Sequence, residues 1–491
     1  MSKLNRDIIF FILKELQNDN KSLHSCLLVN RTWCETTAPI LWKDPITRYD
    51  LTDNACNILF NKMLLHLSEE SRNNLKNQGI DLFVETCQQP IFNYISFWKH
   101  LDLFFLEHHI NHIMEFFKVK SKKKKSIVKN EVLELFINND KKYISLSIPK
   151  YFNTHLFSGA EHCFSKLEYF YCDKYVDDNI LKELSMLSTS IKKLELNVRY
   201  GSFGGIIELI GAQKNLNQVN LTYDNEDYIS NDTFEYCQKP LEESLIKHAD
   251  TIQYLRMDWE PITNLLSYLI NLVSLDLSYL THLRSMPYNW YHLKNASLPL
   301  LKFLKANYIP SKILASIIEN TKGHLIEISI HHNNLDDNHF IQAIYQNCPN
   351  LSYLNLALSN NSYKEFQNLL INCKFLNELE IISISYSKID WIILFKILAN
   401  FSPISLFKFK FTSTYFYWEY RQRDLKLFLC HWKDRHSMLL QIASKGSCMY
   451  ISANNPTQQQ CQAKRRKLKD LLQRYKDKGI IKKYDIIQAD I

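Results

Sequence analysis

The sequence predicts an α/β solenoid, with short parallel strands on a concave side and helices on a convex side, behind a small all-α module. Three observations predict it. A spaced apolar signature recurs through the middle of the chain, the 491 residues exceed what one hydrophobic core usually supports, and only nine residues are glycine. Average usage of about 7% would give several times more glycine. Folds built on many tight turns or phosphate-cradling loops are therefore disfavoured. Neither G-x-x-x-x-G-K-[ST] nor G-x-G-x-x-G occurs, and Gly201-Ser202-Phe203-Gly204-Gly205 fits neither.

The chain opens with LNRDIIFFILKEL (4–16), whose Leu4, Ile8, Phe11, Ile12 and Leu16 share a helical face. Asn18-Asp19-Asn20 breaks that pattern, and Ser22 is the expected cap of a second helix through Leu23, Cys26, Leu27 and Val29. A third short helix carries Trp33 towards Pro39 and ends near Trp42. Residues 1–45 thus read as a three-helix module whose core is too small to be comfortable without a partner or a neighbouring domain. Residues 46–142 read as a helical linker region, including NACNILFNKMLLHLSEESRNNL and FNYISFWKHLDLFFLEHHINHIMEFF, with a lysine-rich loop at 118–129.

From residue 143 the signature begins: an apolar residue, two positions, a second apolar residue, one position, a third. It runs YISLSI (143–148), LEYFYC (167–172), IKKLEL (191–196), LNQVNL (216–221), IQYLRM (252–257) and LVSLDL (272–277). It continues as LKFLKA (301–306), LIEISI (325–330), LSYLNL (351–356), LNELEI (376–381) and ISLFKF (404–409). Successive starts lie 24 to 29 residues apart, except one interval of 36 followed by one of 20. The alternating positions make a short strand with one buried face. Segments such as FIQAIYQNCPN (340–350) supply an amphipathic helix. A lone strand and helix cannot bury their faces, so neighbouring copies must stack. The pattern resembles leucine-rich repeats, most clearly in NCPNLSYLNLALSNN (347–361), and defines a solenoid over 143–445. Residues 446–491 are expected to form a cap or a basic tail. Within them a charged helix from Ala463 to Lys478 would carry Leu468, Leu471, Leu472 and Tyr475 on one face.

The N-terminal module resembles an F-box. Ile8, Ile9 and Ile12-Leu13 match that family's first helix. Ser22-Leu23, Cys26-Leu27 and Val29-Asn30-Arg31-Thr32-Trp33 match its second and third, and Ile40-Leu41-Trp42 its closing pair. Asn5 stands where the family has proline, and Asp7 replaces a nearby glutamate. The resemblance implies a substrate receptor of an SCF-type cullin-RING ubiquitin ligase, with the F-box on a Skp-type adaptor and the repeats holding a protein target. It implies Leu4, Ile8, Ile9, Ile12, Leu23, Leu27, Val29, Trp33, Leu41 and Trp42 as adaptor-binding residues. Such a receptor is not an enzyme and needs no cofactor or metal. The competing interpretation is a leucine-rich-repeat scaffold whose N-terminal helices only cap the array.

Other features carry less. YFYWEYRQR (415–423) concentrates aromatics and arginines of the kind found at interface hot spots, so Tyr415, Tyr417, Trp418, Tyr420 and Arg421 are candidate target-binding residues. His108, His109 and His112 include an i, i+4 pair but lack the glutamate of a zincin, and read as surface or packing residues. Twelve cysteines without a CxxC pair indicate reduced thiols of a cytoplasmic or nuclear protein. The longest clean apolar run, Ile8–Leu13, is too short for a membrane span, so no membrane partner is expected. The net charge of +8 gathers at Lys118–Lys129 and Lys464–Lys478, which read first as a solvated loop and tail. A nucleic-acid binder using the two basic clusters is a third and weaker reading, and an enzyme ranks below it.

Overall fold

In each copy of the signature the spaced apolar residues must leave water together, and a computed structural model of the chain shows how they do so. It describes residues 4–46, 52–80, 90–150, 159–198, 203–223, 231–278, 290–294, 296–331, 338–383, 389–413, 422–444 and 458–488. The chain divides into two units, Met1–Asn217 and Gln218–Ile491. Each is a stretch of leucine-rich-repeat α/β solenoid, and the first also carries the N-terminal helices.

In the first unit, α1 (Arg6–Glu15), α2 (Asn20–Leu27) and α3 (Arg31–Leu41) precede α4 (Asp53–Leu64) and α5 (Glu69–Asn77). Then come β1 (His100–Asp102), α6 (Leu103–Phe116), α7 (Lys122–Phe136), β2 (Ser145–Ile148), α8 (Ala160–Phe164) and β3 (Tyr169–Cys172). The unit closes with α9 (Asp178–Leu187), β4 (Lys193–Val198) and α10 (Gly204–Gly211). Strands β1 to β4 pair in parallel in chain order, with Leu101, Leu146, Phe170 and Leu194 in register along one buried row.

The second unit begins with β5 (Gln218–Tyr223), α11 (Asn231–Ile246), β6 (Tyr254–Met257), α12 (Leu265–Tyr268), β7 (Ser274–Ser278) and β8 (Phe303–Asn307). It continues with α13 (Ser311–Glu319), β9 (Glu327–His331), α14 (Asn338–Asn347), β10 (Tyr353–Ala357), α15 (Tyr363–Asn372) and β11 (Glu378–Ser383). The last elements are α16 (Trp391–Phe401), β12 (Lys408–Ser413), α17 (Gln422–His431), β13 (Met438–Ser444), α18 (Gln458–Asp477) and β14 (Ile481–Gln488). Its strands are again parallel and sequential, and Ile328, Leu354, Leu379, Phe409 and Leu440 form one apolar row. Such side chains are worth about 1.5–3 kcal/mol each when removed from water, so adjacent repeats hold one another.

The repeats reach further than the sequence predicts. WKHLDL (98–103), expected to be helical, is a copy of the signature: Trp98, Leu101 and Leu103 are buried and His100–Asp102 forms β1. The chain leaves the strand directly into α6 because the Asp102 carboxylate accepts the Phe104 and Phe105 amides at 2.8 and 3.2 Å. At the other end, β13 pairs with β14, whose sequence IKKYDI (481–486) is a further copy lying beyond residue 445. At β12 the frame LFKFKF (406–411), rather than ISLFKF, puts Leu406, Phe409 and Phe411 in the core, in register with Leu379 and Ile381.

The lysine-rich stretch is not a loop. Lys122–Lys125 form the first turn of α7, since lysine is a good helix former and Val128, Val132, Leu133 and Phe136 supply one buried helical face. The charged C-terminal helix is present as α18, with Leu468, Leu471, Leu472 and Tyr475 buried. No described helix is long and apolar enough to cross a membrane.

Candidate functional site

The three N-terminal helices fold around Ile9, Leu13, Leu23, Cys26 and Leu41, with Leu16, Leu27, Trp33, Ile40 and Trp42 half-buried against them. Side chains fix the helix starts. Asp19, rather than Ser22, caps α2, accepting the Ser22 amide at 3.2 Å and its hydroxyl at 2.7 Å. Asn30 caps α3 by accepting the Trp33 amide at 3.1 Å. The module is tied to the solenoid within its unit. Trp42 stacks on Tyr94 with ring centres 4.1 Å apart, and the Lys43 carbonyl accepts the Lys99 amide at 2.9 Å beside β1.

The structure divides the ten candidate adaptor-binding residues by burial. Ile9, Leu23 and Leu41 lie in the core, and Leu27, Trp33 and Trp42 pack on it. Leu4, Ile8, Ile12 and Val29 are exposed, Ile8 at 49% and Val29 at 57%. The expected face of α1 is therefore corrected. Ile9 and Leu13, with Leu16, make the core, and Leu4, Ile8, Phe11 and Ile12 look outwards. Sequence reading did not single out Phe10 or Leu28, yet both are exposed, Leu28 at 87%. Phe10 and Phe11 meet edge-on with centres 6.3 Å apart. The signal was available: IIFFIL is apolar on every side, and a helix apolar all round is normally covered all round.

A second surface is the polar face of the strands in the second unit. Arg256, Asp276 and Lys305 stand opposite one another on β6, β7 and β8. The Asp276 carboxylate lies 3.9 Å from Arg256 and 3.1 Å from Lys305, and Arg256 also reaches Asp258 at 3.3 Å. Burial raises the Asp258 carboxyl, and the Arg256 charge opposes that rise. Further along, the buried Glu380 accepts from Lys410 at 3.0 Å, Thr412 at 3.0 Å and Tyr353 at 3.2 Å. Lys408 pairs with Glu378 at 3.2 Å. Beside these pairs an open groove of about 280 Å³ crosses β11 to β14, lined among others by Lys408, Lys410, Leu439, Gln441, Lys483 and Asp485. The charges on this face are largely matched within it, which suits a polar protein surface.

The candidate target-binding residues Tyr415, Tyr417, Trp418, Tyr420 and Arg421 lie outside the described residues, in the connection between β12 and α17. Of the histidines, His109 is buried, with Nδ1 2.8 Å from the Phe105 carbonyl and its ring against Phe105 and Phe60, while His108 and His112 are exposed. Burial lowers the His109 pKa, which keeps it neutral in its apolar setting. Among the described residues no group of three or more His, Cys, Asp or Glu could hold a metal ion.

No protein-family model matches the sequence, and no curated protein matches it. Among the solved structures that are similar are the following two. One is the leucine-rich-repeat protein LegL7 of Legionella pneumophila, at 14% identity and TM-score 0.35, over 60% of this chain and 90% of that one. The other is from the Rad7 and Elc1 complex of yeast, at 17% identity and TM-score 0.32, over 72% of this chain and 91% of that one. Similarity at this level says nothing of what this protein binds.

Proposed function

We propose that this protein is a non-catalytic substrate receptor of an SCF-type ubiquitin ligase, its N-terminal module docking on a Skp-type adaptor and its repeats holding a protein target. The observation that carries the proposal is the outward apolar face of α1, where Leu4, Ile8, Phe11 and Ile12 stand exposed although the module already has a closed core. Apolar side chains left clustered in water mark interaction surfaces, and covering what each still exposes would gain on the order of 1 kcal/mol. The sheet face and groove of the second unit are the surface assigned to the target. The receptor's work is proximity: it raises the target's effective concentration near the ubiquitin-charged enzyme, and bond making belongs to other subunits.

The second reading, a repeat scaffold with a helical cap, draws on the Trp42–Tyr94 stack and the Lys43–Lys99 hydrogen bond, which place α3 against the start of the repeats. For that reason deletion of 1–45 is a poor test, since it uncovers the first repeat. Substitution of exposed residues separates the readings. Ile8→Glu with Ile12→Glu should leave helix content and melting unchanged and reduce adaptor co-purification at least tenfold. A cap has no use for those side chains, so a folded, intact protein that retains no adaptor would favour the scaffold.

A further inference from the structure

We infer that α18 is a docking surface for the phosphodiester backbone of a nucleic acid. From Gln458 to Gln488 there are ten lysines and arginines and three aspartates, so this stretch carries seven of the chain's eight net positive charges. The inference does not depend on adaptor binding.

The rotation of α18 is fixed by its buried seam of Leu468, Leu471, Leu472 and Tyr475. At about 100° per residue, Arg465, Lys469 and Lys476 then run along one flank, and Lys467, Arg474 and Lys478 along the other. All six are exposed. Each flank covers eleven residue steps, about 16 Å of helix. Several of these cations are held in place. The Arg465 guanidinium donates to the Ile486 carbonyl at 3.3 Å, Lys476 stands 5.9 Å from the centre of the Tyr484 ring, and Lys478 5.3 Å from that of Tyr475. Cations already ordered lose less freedom when they bind.

A terminal cap needs a polar outer face, but not one of a single sign, and mixed charges serve solubility better. A helix about 10–12 Å across with cations on opposite flanks suits a groove with anionic walls on both sides, and the DNA major groove is about 12 Å wide. The crest mixes Arg466 with Asp470 and Asp477, which keeps it off the base edges, so binding is to backbone and independent of sequence. A membrane surface is flat, and the apolar residues that such a helix would insert are buried here. An acidic protein would need apolar anchors beside the cations, and the described residues of α18 expose no large apolar side chain.

The test is fluorescence anisotropy on the full chain with short labelled DNA and RNA duplexes, between about 50 and 200 mM salt. Four to six neutralised phosphates give a slope of log K against log salt of about −3.5 to −5.5. Changing all six flank cations to Gln should weaken binding at least tenfold at the lower salt. Each three-residue variant, one per flank, should flatten the slope by about 1.8 to 2.7 even if the six-residue variant fails to fold. Changing Lys122, Lys123, Lys124 and Lys125 to Gln should alter affinity less than twofold. The relative affinities of the two duplexes tell DNA from RNA. Four results would overturn the inference: no duplex binding at the lower salt, equal binding by the folded flank variants, loss confined to the Lys122–Lys125 variant, or capture by phosphatidylserine vesicles without duplex binding.

Discussion

Asn5 stands where the F-box pattern has proline, and its backbone already has the proline shape. Its φ is −63°, close to the value of about −65° that a pyrrolidine ring imposes. Its side chain accepts the Asp7 amide at 3.4 Å and so caps α1, work that proline cannot do. Asn5→Ala should cost about 1 kcal/mol through the lost cap. Asn5→Pro should stay within about 1 kcal/mol of the native protein, because a smaller unfolded-state entropy offsets the lost cap. Thermal unfolding of the two variants checks both values. Glu242 is the other residue on which much depends. It is fully buried and accepts from Gln238 at 2.9 Å, from the Ile262 amide at 3.1 Å and from the Thr263 amide at 2.8 Å, as well as from the Thr263 hydroxyl. Glu242→Ala strands these donors and should destabilise the α11–α12 region by about 2–4 kcal/mol, read as faster hydrogen exchange at Ile262 and Thr263. Burial raises the Glu242 carboxyl above its ordinary 4.5. The folded state therefore holds that proton more tightly. Its contribution to stability is complete below pH 4.5 and is lost as pH rises through the raised value. Protection of those amides should weaken from pH 4 to 7 more in the native protein than in Glu242→Gln.

Elements were legible where a regular period repeated and obscure where one residue served two patterns. The strands β2 to β11 could be read because three apolar positions recur at a nearly constant interval. WKHLDL was hidden by its neighbours, since Trp98, Leu101 and Leu103 run straight into the apolar period of α6. IKKYDI was hidden by its lysines, and β13 by Ser437 at the position where other copies have an apolar residue. Similarly, α1 presents apolar side chains all round, so periodicity alone could not say which face the core would take. Of the candidate site, the module and its apolar character were readable in the sequence, but the division into core and exposed residues was not. That division depends on where α3 lies, which is tertiary information. At the C-terminal end α18 covers the last repeats, and Tyr475 meets Cys430 of α17 at 2.9 Å. Leu472→Ala should cost about 2–5 kcal/mol and selectively loosen β13 and β14, visible as exchange of their amides while β5 to β9 stay protected.

At the scale of the whole molecule, the described surfaces differ in chemistry. An exposed apolar face lies at the N-terminus, a charge-matched sheet face occupies the second unit, and a strongly basic helix stands at the C-terminal end. The first is the surface on which the proposed receptor role, as against a scaffold, rests. The most direct measurement is the amount of Skp-type adaptor retained by the intact, folded protein and by its Ile8→Glu, Ile12→Glu variant. The proposed function predicts a stoichiometric complex with the first and at least a tenfold loss with the second, at unchanged melting temperature. Failure of the intact protein to hold any adaptor, or equal retention by the variant, would contradict it.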